Sequence, residues 1–265
     1  MQRLNEIVRN RFKEALIAGQ VASTLSIRLP WGIEIVHAAE SCGFDAIYID
    51  LQHSPLSLET ASQMSIAALA LGITPIVRVP NHSAEYISRV LDGGALGVLA
   101  PHVETPEEAQ TIVAAAKFAP LGERSTGGGL PHLRYRHWPQ EDAVKVMNDA
   151  TVVLVQIESP GAVERAAEIA DVAGVDGFMI GANDLCAGYG IPGQHGHKLI
   201  RSAYAQVIAG ANKAGKWVGI GGISDKKLIA EYVKLGARIV ATGTDVSILM
   251  EVGTERARFV ESLNH

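Results

Sequence analysis

Eight short apolar runs recur along the chain, and they constrain its fold more than any other feature. They lie at residues 22–28, 44–51, 74–79, 95–101, 152–157, 177–180, 216–220 and 238–242. Each has the length of a buried strand. The intervals between them carry apolar residues at helical spacing, such as Ala109, Ile112, Val113 and Ala116, or Val163, Ala166, Ala167 and Ala170. Helix punctuation agrees with this reading. Ser57 precedes one helical stretch and Gly72 stops it, Thr105-Pro106-Glu107-Glu108 reads as a capping box, and Ser159-Pro160 opens another helix. Strands alternating with helices over 265 residues predict an α/β fold, a closed (β/α)8 TIM barrel rather than an open doubly wound sheet. Residues 4–18, with Leu4, Ile7, Val8 and Ala15 on one face, predict an additional N-terminal helix that plugs the bottom of the barrel. A last helix starts near Asp245 and runs towards the C-terminus. No linker or compositional break divides the chain, so residues 1–265 are expected to form a single domain.

Composition removes several function classes. Hydrophobic residues make up 48% and charged residues 19%, which fits a globular protein with a sizeable core. A net charge of −5 argues against nucleic acid or an anionic membrane as partner. No apolar run reaches the length of a bilayer span, and the first twenty residues lack a signal-peptide pattern. The two cysteines, Cys42 and Cys186, have no metal-type spacing and suggest a reducing cytoplasm.

The polar residues at the strand ends carry the chemistry, because a parallel barrel brings its C-terminal strand ends to one mouth. His53 follows the second run, Arg78 closes the third, Gln156 and Glu158 end the fifth, and Asn183 and Asp184 follow the sixth. Glu158 and Asp184 form a carboxylate pair suited to a hard divalent cation whose shell is completed by water or substrate oxygens. Such a cation would hold a small 2-oxo acid, with Arg78 stabilising an oxyanion and His53 serving as base. Each residue also has a plainer reading: a strand-end acid, a helix cap, a packed histidine, or an ion pair inside the barrel for Arg78. Asp50 could orient its loop by accepting backbone hydrogen bonds. Long loops without regular structure are usually functional or mobile. The loop at 119–138 holds Gly127-Gly128-Gly129 and a basic, aromatic section with Arg134, Tyr135, Arg136 and Trp138.

The segments Y-I-D-L-Q-H-S-P, P-I-V-R-V-P, Q-I-E-S-P and I-G-A-N-D-L resemble the HpcH/HpaI aldolases, class II metal-dependent pyruvate aldolases. The resemblance runs from about Trp31 to the C-terminal helix. It implies metal-dependent, reversible aldol cleavage of a 4-hydroxy-2-oxo acid to pyruvate and an aldehyde, through a metal-stabilised pyruvate enolate. Position by position, it makes Glu158 and Asp184 the metal ligands and His53 the catalytic base. Arg78 becomes the transition-state stabiliser, and Gln156, Asn183 and Asp184 the substrate-binding positions. Asp92, fourteen residues after Arg78, matches the acid that raises the basicity of the histidine. A carboxylate at the C-terminus of a helix opposes the helix dipole, and in a simple barrel that end faces away from the mouth. Either a neighbouring subunit delivers Asp92 or the local geometry is irregular; Asp50 is the competitor.

The implied cofactor is a divalent metal ion (Mg2+, Mn2+ or Co2+), and the implied partners are a 2-oxo acid and an aldehyde. The implied assembly is a cytoplasmic homo-oligomer, often a hexamer with exchanged C-terminal helices. Two departures stand out. Gln52 occupies a position where the family often has Glu, and Ala119-Pro120-Leu121-Gly122-Glu123-Arg124-Ser125 replaces a Pro-Pro-x-Gly-x-Arg-Gly run. The loop from Arg124 to Trp138 is expected to contact the half that leaves as the aldehyde. An oxaloacetate decarboxylase or acyl-CoA lyase would use the same metal site, and a non-catalytic oxo-acid sensor is the rival from another class. No lysine stands at a central strand end, which favours the metal route over a Schiff base.

Overall fold

The structure, a computed structural model, describes residues 3–264. Its strands are β1 (Ala22–Ile27), β2 (Ala46–Asp50), β3 (Thr74–Arg78), β4 (Gly97–Ala100), β5 (Val152–Ile157), β6 (Gly177–Gly181), β7 (Trp217–Gly221) and β8 (Ile239–Thr244). All pair in parallel, in sequence order, and β8 returns to β1 to close the barrel. The closing seam carries an irregularity: Thr24 pairs with Ala241, but Ser26 pairs with Thr244. Helices on the outside connect successive strands, as the alternating pattern predicts.

The two-residue period of a strand divides the side chains into two cores. Outward residues such as Ile47, Ile49, Val153, Val155, Phe178 and Ile180 meet the helices in one large cluster. Inward residues, including Ala22, Ala46, Tyr48, Ile76, Leu99, Leu154, Met179 and Ile239, fill the barrel. The inward rows then run on to polar residues at the top. Ala46 and Tyr48 lead to Asp50, Thr74 and Ile76 to Arg78, and Val152 and Leu154 to Gln156. The same alternation that packs the interior therefore aims these side chains into the mouth.

The N-terminal segment does close the bottom, but as two helices, Leu4–Ile7 and Arg11–Ile17. Asn10 separates them. Its Oδ1 accepts the Lys13 N–H at 2.9 Å and the Thr74 hydroxyl at 3.1 Å, and its Nδ2 donates to the carbonyls of Ala150 at 2.7 Å and Leu96 at 3.2 Å. A buried side chain that caps one helix and ties three other segments outweighs the amphipathic continuity of residues 4–18. Phe12 and Leu16 of the second helix join the barrel-interior cluster from below.

One further expectation, a continuous helix after β5, is corrected, and the position after β6 gains a helix. The helical interval after β5 is broken at Arg165 into Pro160–Glu164 and Ala166–Ala170. Asn183 and Asp184 lie in the first turn of a helix, Ala182–Gly188, that begins as β6 ends. The long loop holds a short 3-10 turn, Pro131–Leu133, and its Leu130 and Leu133 pack with Leu4, Val8, Leu96 and Met147. It joins the helix Pro106–Ala116 to the helix Gln140–Ala150 that leads into β5, and it packs against the bottom helices, so within one chain it belongs to the barrel end opposite the mouth, and none of its residues lines the mouth. The expected contact of residues 124–138 with a leaving aldehyde is therefore not made by this chain's own loop.

The plug makes a quantitative expectation. Phe12 is fully buried, so Phe12→Ala should cost about 3–5 kcal/mol of folding stability. Urea unfolding measures this; a loss below about 1 kcal/mol would mean that the helix rests on the barrel without filling it.

Candidate active site

A cavity of about 610 Å³ opens at the C-terminal ends of the strands. Its walls include His53, Arg78, Gln156, Asn183 and Asp184, five of the residues selected from sequence, together with Asp50, Arg28 and Glu251.

Asp50 is the anchor of one side. It is only 1% exposed, and its Cα partner in the β2–β3 register is Arg78. Arg78 donates Nε to Oδ1 at 2.9 Å and Nη2 to Oδ2 at 2.5 Å, a bidentate pair. Arg28 adds Nε to Oδ2 at 2.8 Å. The backbone N–H groups of Gln52 and His53 donate to Oδ1 at 3.0 and 3.1 Å. Burial pushes the Asp50 carboxyl up, but the Arg78 hydrogen bond and charge, the His53 N–H and Arg28 together outweigh it, so the group is held below its ordinary value. The two plain readings from sequence, an ion pair for Arg78 and a loop-orienting role for Asp50, both describe contacts that exist. They also fix Arg78 and His53 at the mouth.

The His53 side chain is exposed to the cavity. Partial desolvation by the mouth lowers its pKa first and the Arg78 charge second; Asp50 opposes them, Arg28 adds to the lowering, and Asp184 weakly opposes it. The imidazole is thus kept neutral, the form a base requires.

The other side is built on Glu158, which follows β5 and is 5% exposed. Its Oε1 accepts the backbone N–H of His102 at 2.6 Å and lies 2.8 Å from His102 Nδ1, while Oε2 accepts Gln156 Nε2 at 2.6 Å. His102 adopts a left-handed backbone, φ 53°, which few side chains tolerate without a compensating contact. Gln52 Nε2 lies 3.1 Å from His102 Nε2 and so joins the two sides. Burial raises the Glu158 carboxyl most, hydrogen bonding and charge from His102 oppose it, and Asp184 raises it further. A Cβ on Gly181 would stand 2.7 Å from both Glu158 Oε2 and Gln156 Nε2, so the close approach of β6 requires glycine there.

This side fits a hard divalent cation. It offers carboxylate oxygens from Glu158 and Asp184, a buried carboxylate raised by its carboxylate neighbour, and a buried amide oxygen, Gln156 Oε1, without a hydrogen-bond partner. Oxygen donors with room for water or substrate suit Mg2+-like ions. Among the described residues no cluster of three or more His, Cys, Asp and Glu is placed to hold a metal ion, so the chain's own carboxylates at this site would be a pair. Asn183 sits at the rim, where its Oδ1 is 2.9 Å from His195 Nε2.

Asp92 is not brought to the mouth of its own chain. It ends the helix Ala84–Asp92, where its half-exposed carboxylate takes Arg124 Nη2 at 2.6 Å. Arg28, Asp50 as a shared partner, and His102 are the mouth residues that sequence reasoning missed or underweighted. Arg28 was detectable: Ala22, Thr24, Ser26 and Arg28 form one inward row. His102 carries no comparable signal, since its place depends on a left-handed turn.

Comparison with known proteins agrees with this geometry. Residues 33–251 match the family model described as HpcH/HpaI aldolase/citrate lyase. The chain is 37% identical over 250 residues to a 4-hydroxy-4-methyl-2-oxoglutarate aldolase of Hapsidospora irregularis, covering 93% of each. It is 36% identical over 245 residues to a 4-hydroxy-2-oxo-heptane-1,7-dioate aldolase of Salmonella arizonae, covering 91% of each. The crystal structure of an HpcH/HpaI aldolase from Desulfitobacterium hafniense superposes with a TM-score of 0.88 over 96% of both chains, at 28% identity. With the barrel, the carboxylate pair and the full-length matches in agreement, the chain belongs to the HpcH/HpaI aldolase/citrate lyase family.

Proposed function

We propose that this chain catalyses reversible aldol cleavage of a 4-hydroxy-2-oxo acid to pyruvate and a carbonyl product, an aldehyde in the simplest case. The observation that carries the proposal is the convergence of a neutral histidine, a tethered arginine and the Asp184 carboxylate on one cavity, with the buried Glu158 carboxyl behind it and near enough to Asp184 to be raised by its charge. The full-length aldolase relatives support it. Glu158 and Asp184 would hold a divalent ion, Mg2+, Mn2+ or Co2+, and Gln156, Asn183 and Asp184 would orient the pyruvyl half. When bound, the ion supplies Lewis-acid polarisation of the 2-oxo group. Arg78, fixed by Asp50, aims its guanidinium at the negative charge that develops on the same half. His53 removes the proton of the C4 hydroxyl as the C3–C4 bond breaks; the bonding pair stays with C3, which takes up a proton from water to complete pyruvate, and in the reverse direction C3 loses that proton and the imidazole returns one to the carbonyl oxygen of the partner.

Pyruvate release from a panel of hydroxy-oxo acids, coupled to lactate dehydrogenase, should therefore require metal and stop with EDTA. Glu158→Gln and Asp184→Asn should each weaken Mn2+ binding by more than about 100-fold in calorimetry, beyond the typical effect of an outer-sphere partner. Binding should also weaken as pH falls, because protons compete for the raised Glu158 carboxyl. Unchanged affinity in both variants would sink the assignment.

His53→Ala separates two chemistries. Aldol cleavage needs the C4 hydroxyl proton removed, whereas decarboxylation of oxaloacetate does not. Cleavage should fall by about a hundred- to ten-thousand-fold, with far less effect on any oxaloacetate decarboxylation. Equal losses with metal content intact would make His53 a binding residue. In the wild type the acid limb of kcat/KM should lie below the ordinary imidazole value of about 6.5, because the folded environment lowers the His53 pKa.

The assembly we assign is a cytoplasmic homo-oligomer, a hexamer with exchanged C-terminal helices. The C-terminal helix, Asp245–Ser262, leaves Leu249, Met250, Phe259 and Val260 exposed. Patches of this kind mark association surfaces. Asp92 would then support the His53 of a neighbouring copy, while Asp50 supports the segment within the chain. Light scattering should give a multiple of the 28.1 kDa chain mass. Co-assembled His53→Ala and Asp92→Asn chains should recover activity that neither has alone. A monomer, or full activity in Asp92→Asn, contradicts this arrangement.

A further inference from the structure

We propose that His102 is the positioning residue for Glu158: it clamps one carboxylate oxygen, so that the other is presented towards Asp184. The proposal rests on the metal site of the aldolase reading above and adds the residue that sets the direction of its buried ligand.

Three polar contacts hold the buried Glu158 carboxylate. They are the His102 N–H at 2.6 Å, the His102 ring Nδ1 at 2.8 Å and Gln156 Nε2 at 2.6 Å. Both His102 contacts meet on Oε1, and Gln156 meets Oε2. A Cβ built on Gly181 would lie 2.7 Å from Oε2, so this oxygen faces the end of β6. The helix that carries Asp184 starts at the next residue, Ala182. His102, just beyond β4, therefore holds the carboxylate from one side and leaves Oε2 on the side of the second acid.

Packing does not account for the His102 ring. Its side chain is 62% exposed, whereas that of Glu158 is 3% exposed, so a solvated imidazole lies over a buried acid. Both ring nitrogens are nonetheless engaged, Nδ1 by Glu158 Oε1 and Nε2 by Gln52 Nε2 at 3.1 Å. The backbone is pinned on each side. The Pro101 carbonyl meets His82 Nε2, and the fully buried Val103 donates its N–H to the Gln156 carbonyl at 3.3 Å. Between these anchors His102 keeps φ at 53°, an uncommon conformation that persists where the surroundings over-determine it. The turn brings the N–H and the ring of one residue onto one oxygen, which is how second-sphere groups fix the orientation of a ligand.

The test is Mn2+ binding to the full-length protein, followed by calorimetry without substrate. Glycine accepts the left-handed backbone and keeps the N–H, so His102→Gly removes the ring alone. Asparagine also accepts that backbone, and its amide stands where Nδ1 does, able to donate or accept. His102→Gly should weaken Mn2+ binding by about ten- to a hundred-fold, the usual effect of losing an outer-sphere partner. His102→Asn should bring the affinity back to within about threefold of the wild type. Unchanged binding in His102→Gly overturns the proposal, and so does tighter binding, which would make the ring a competitor of the metal. A loss in His102→Asn as large as in His102→Gly also overturns it, because the ring would then only support the turn. If His102→Gly does not fold, Gln52→Ala decides, since it frees Nε2 and leaves the backbone at 102 alone. Binding weakened at least about threefold is then the expected result, and an unchanged affinity the refutation. Glu158→Gln titrated alongside separates the two ideas. If it loses Mn2+ while His102→Gly does not, the metal site stands without this positioning residue. A wild type that binds no Mn2+, or an affinity that neither substitution changes, overturns both.

Discussion

The carboxylate of Asp50 is the interaction on which the mouth depends. It is a charge taken almost wholly out of water, which is tolerable only with full pairing. The strand register supplies the first partner by placing Asp50 opposite Arg78. The turn after β2 supplies two N–H groups, and the residue directly after β1 supplies the Arg28 guanidinium. Satisfying one buried acid thereby sets the direction of one guanidinium fork, the path of the His53 segment and the position of a second arginine. In a site of this kind, stability and geometry come from the same bonds. Removing one partner from such a buried cluster typically costs about 3–5 kcal/mol, because the remaining charges lose their compensation.

The opposite side follows a different logic. Glu158 has no cationic partner comparable to Arg78. It is held by one amide from Gln156 and by the backbone and ring of His102. Its carboxyl consequently sits above its ordinary value, mainly through burial, with Asp184 adding repulsion. A buried carboxyl pushed up by desolvation and by a carboxylate neighbour is one that a cation would relieve. The two sides of the mouth thus solve the problem of buried charge in opposite ways: with arginine beside Asp50, and with a carboxylate left without a full cationic partner beside Asp184.

Much of this was legible in the sequence, and the omissions have physical causes. Eight apolar runs gave the barrel because strand length and alternation are local properties. The strand-end residues followed from topology, since every inward row must end at the mouth. Carrying that counting one step further would have linked Asp50 to Arg78 and found Arg28. His102 was out of reach because a positive φ at a histidine is imposed by its surroundings. The division of the N-terminal helix at Asn10 depends on acceptors at Ala150 and Leu96, far away in sequence. Asp92 lies on the face away from its own mouth, paired with Arg124, so any part it plays at His53 is a property of an assembly.

Gln52 connects the two sides, and its identity matters for that reason. Its backbone N–H is bound by Asp50 and its side-chain amide faces His102 Nε2. The pairing makes one continuous polar path from the Asp50 turn through the Gln52 amide and the His102 ring to Glu158, whose Oε1 lies 2.8 Å from Nδ1. A displacement of Gln52 is therefore passed to both acids, because its backbone is held by one and its side chain leads to the other. The residue at position 52 thus sets how the arginine side and the Glu158 side of the mouth stand relative to each other, and a side chain that reached His102 differently would move Glu158 through the ring that orients it.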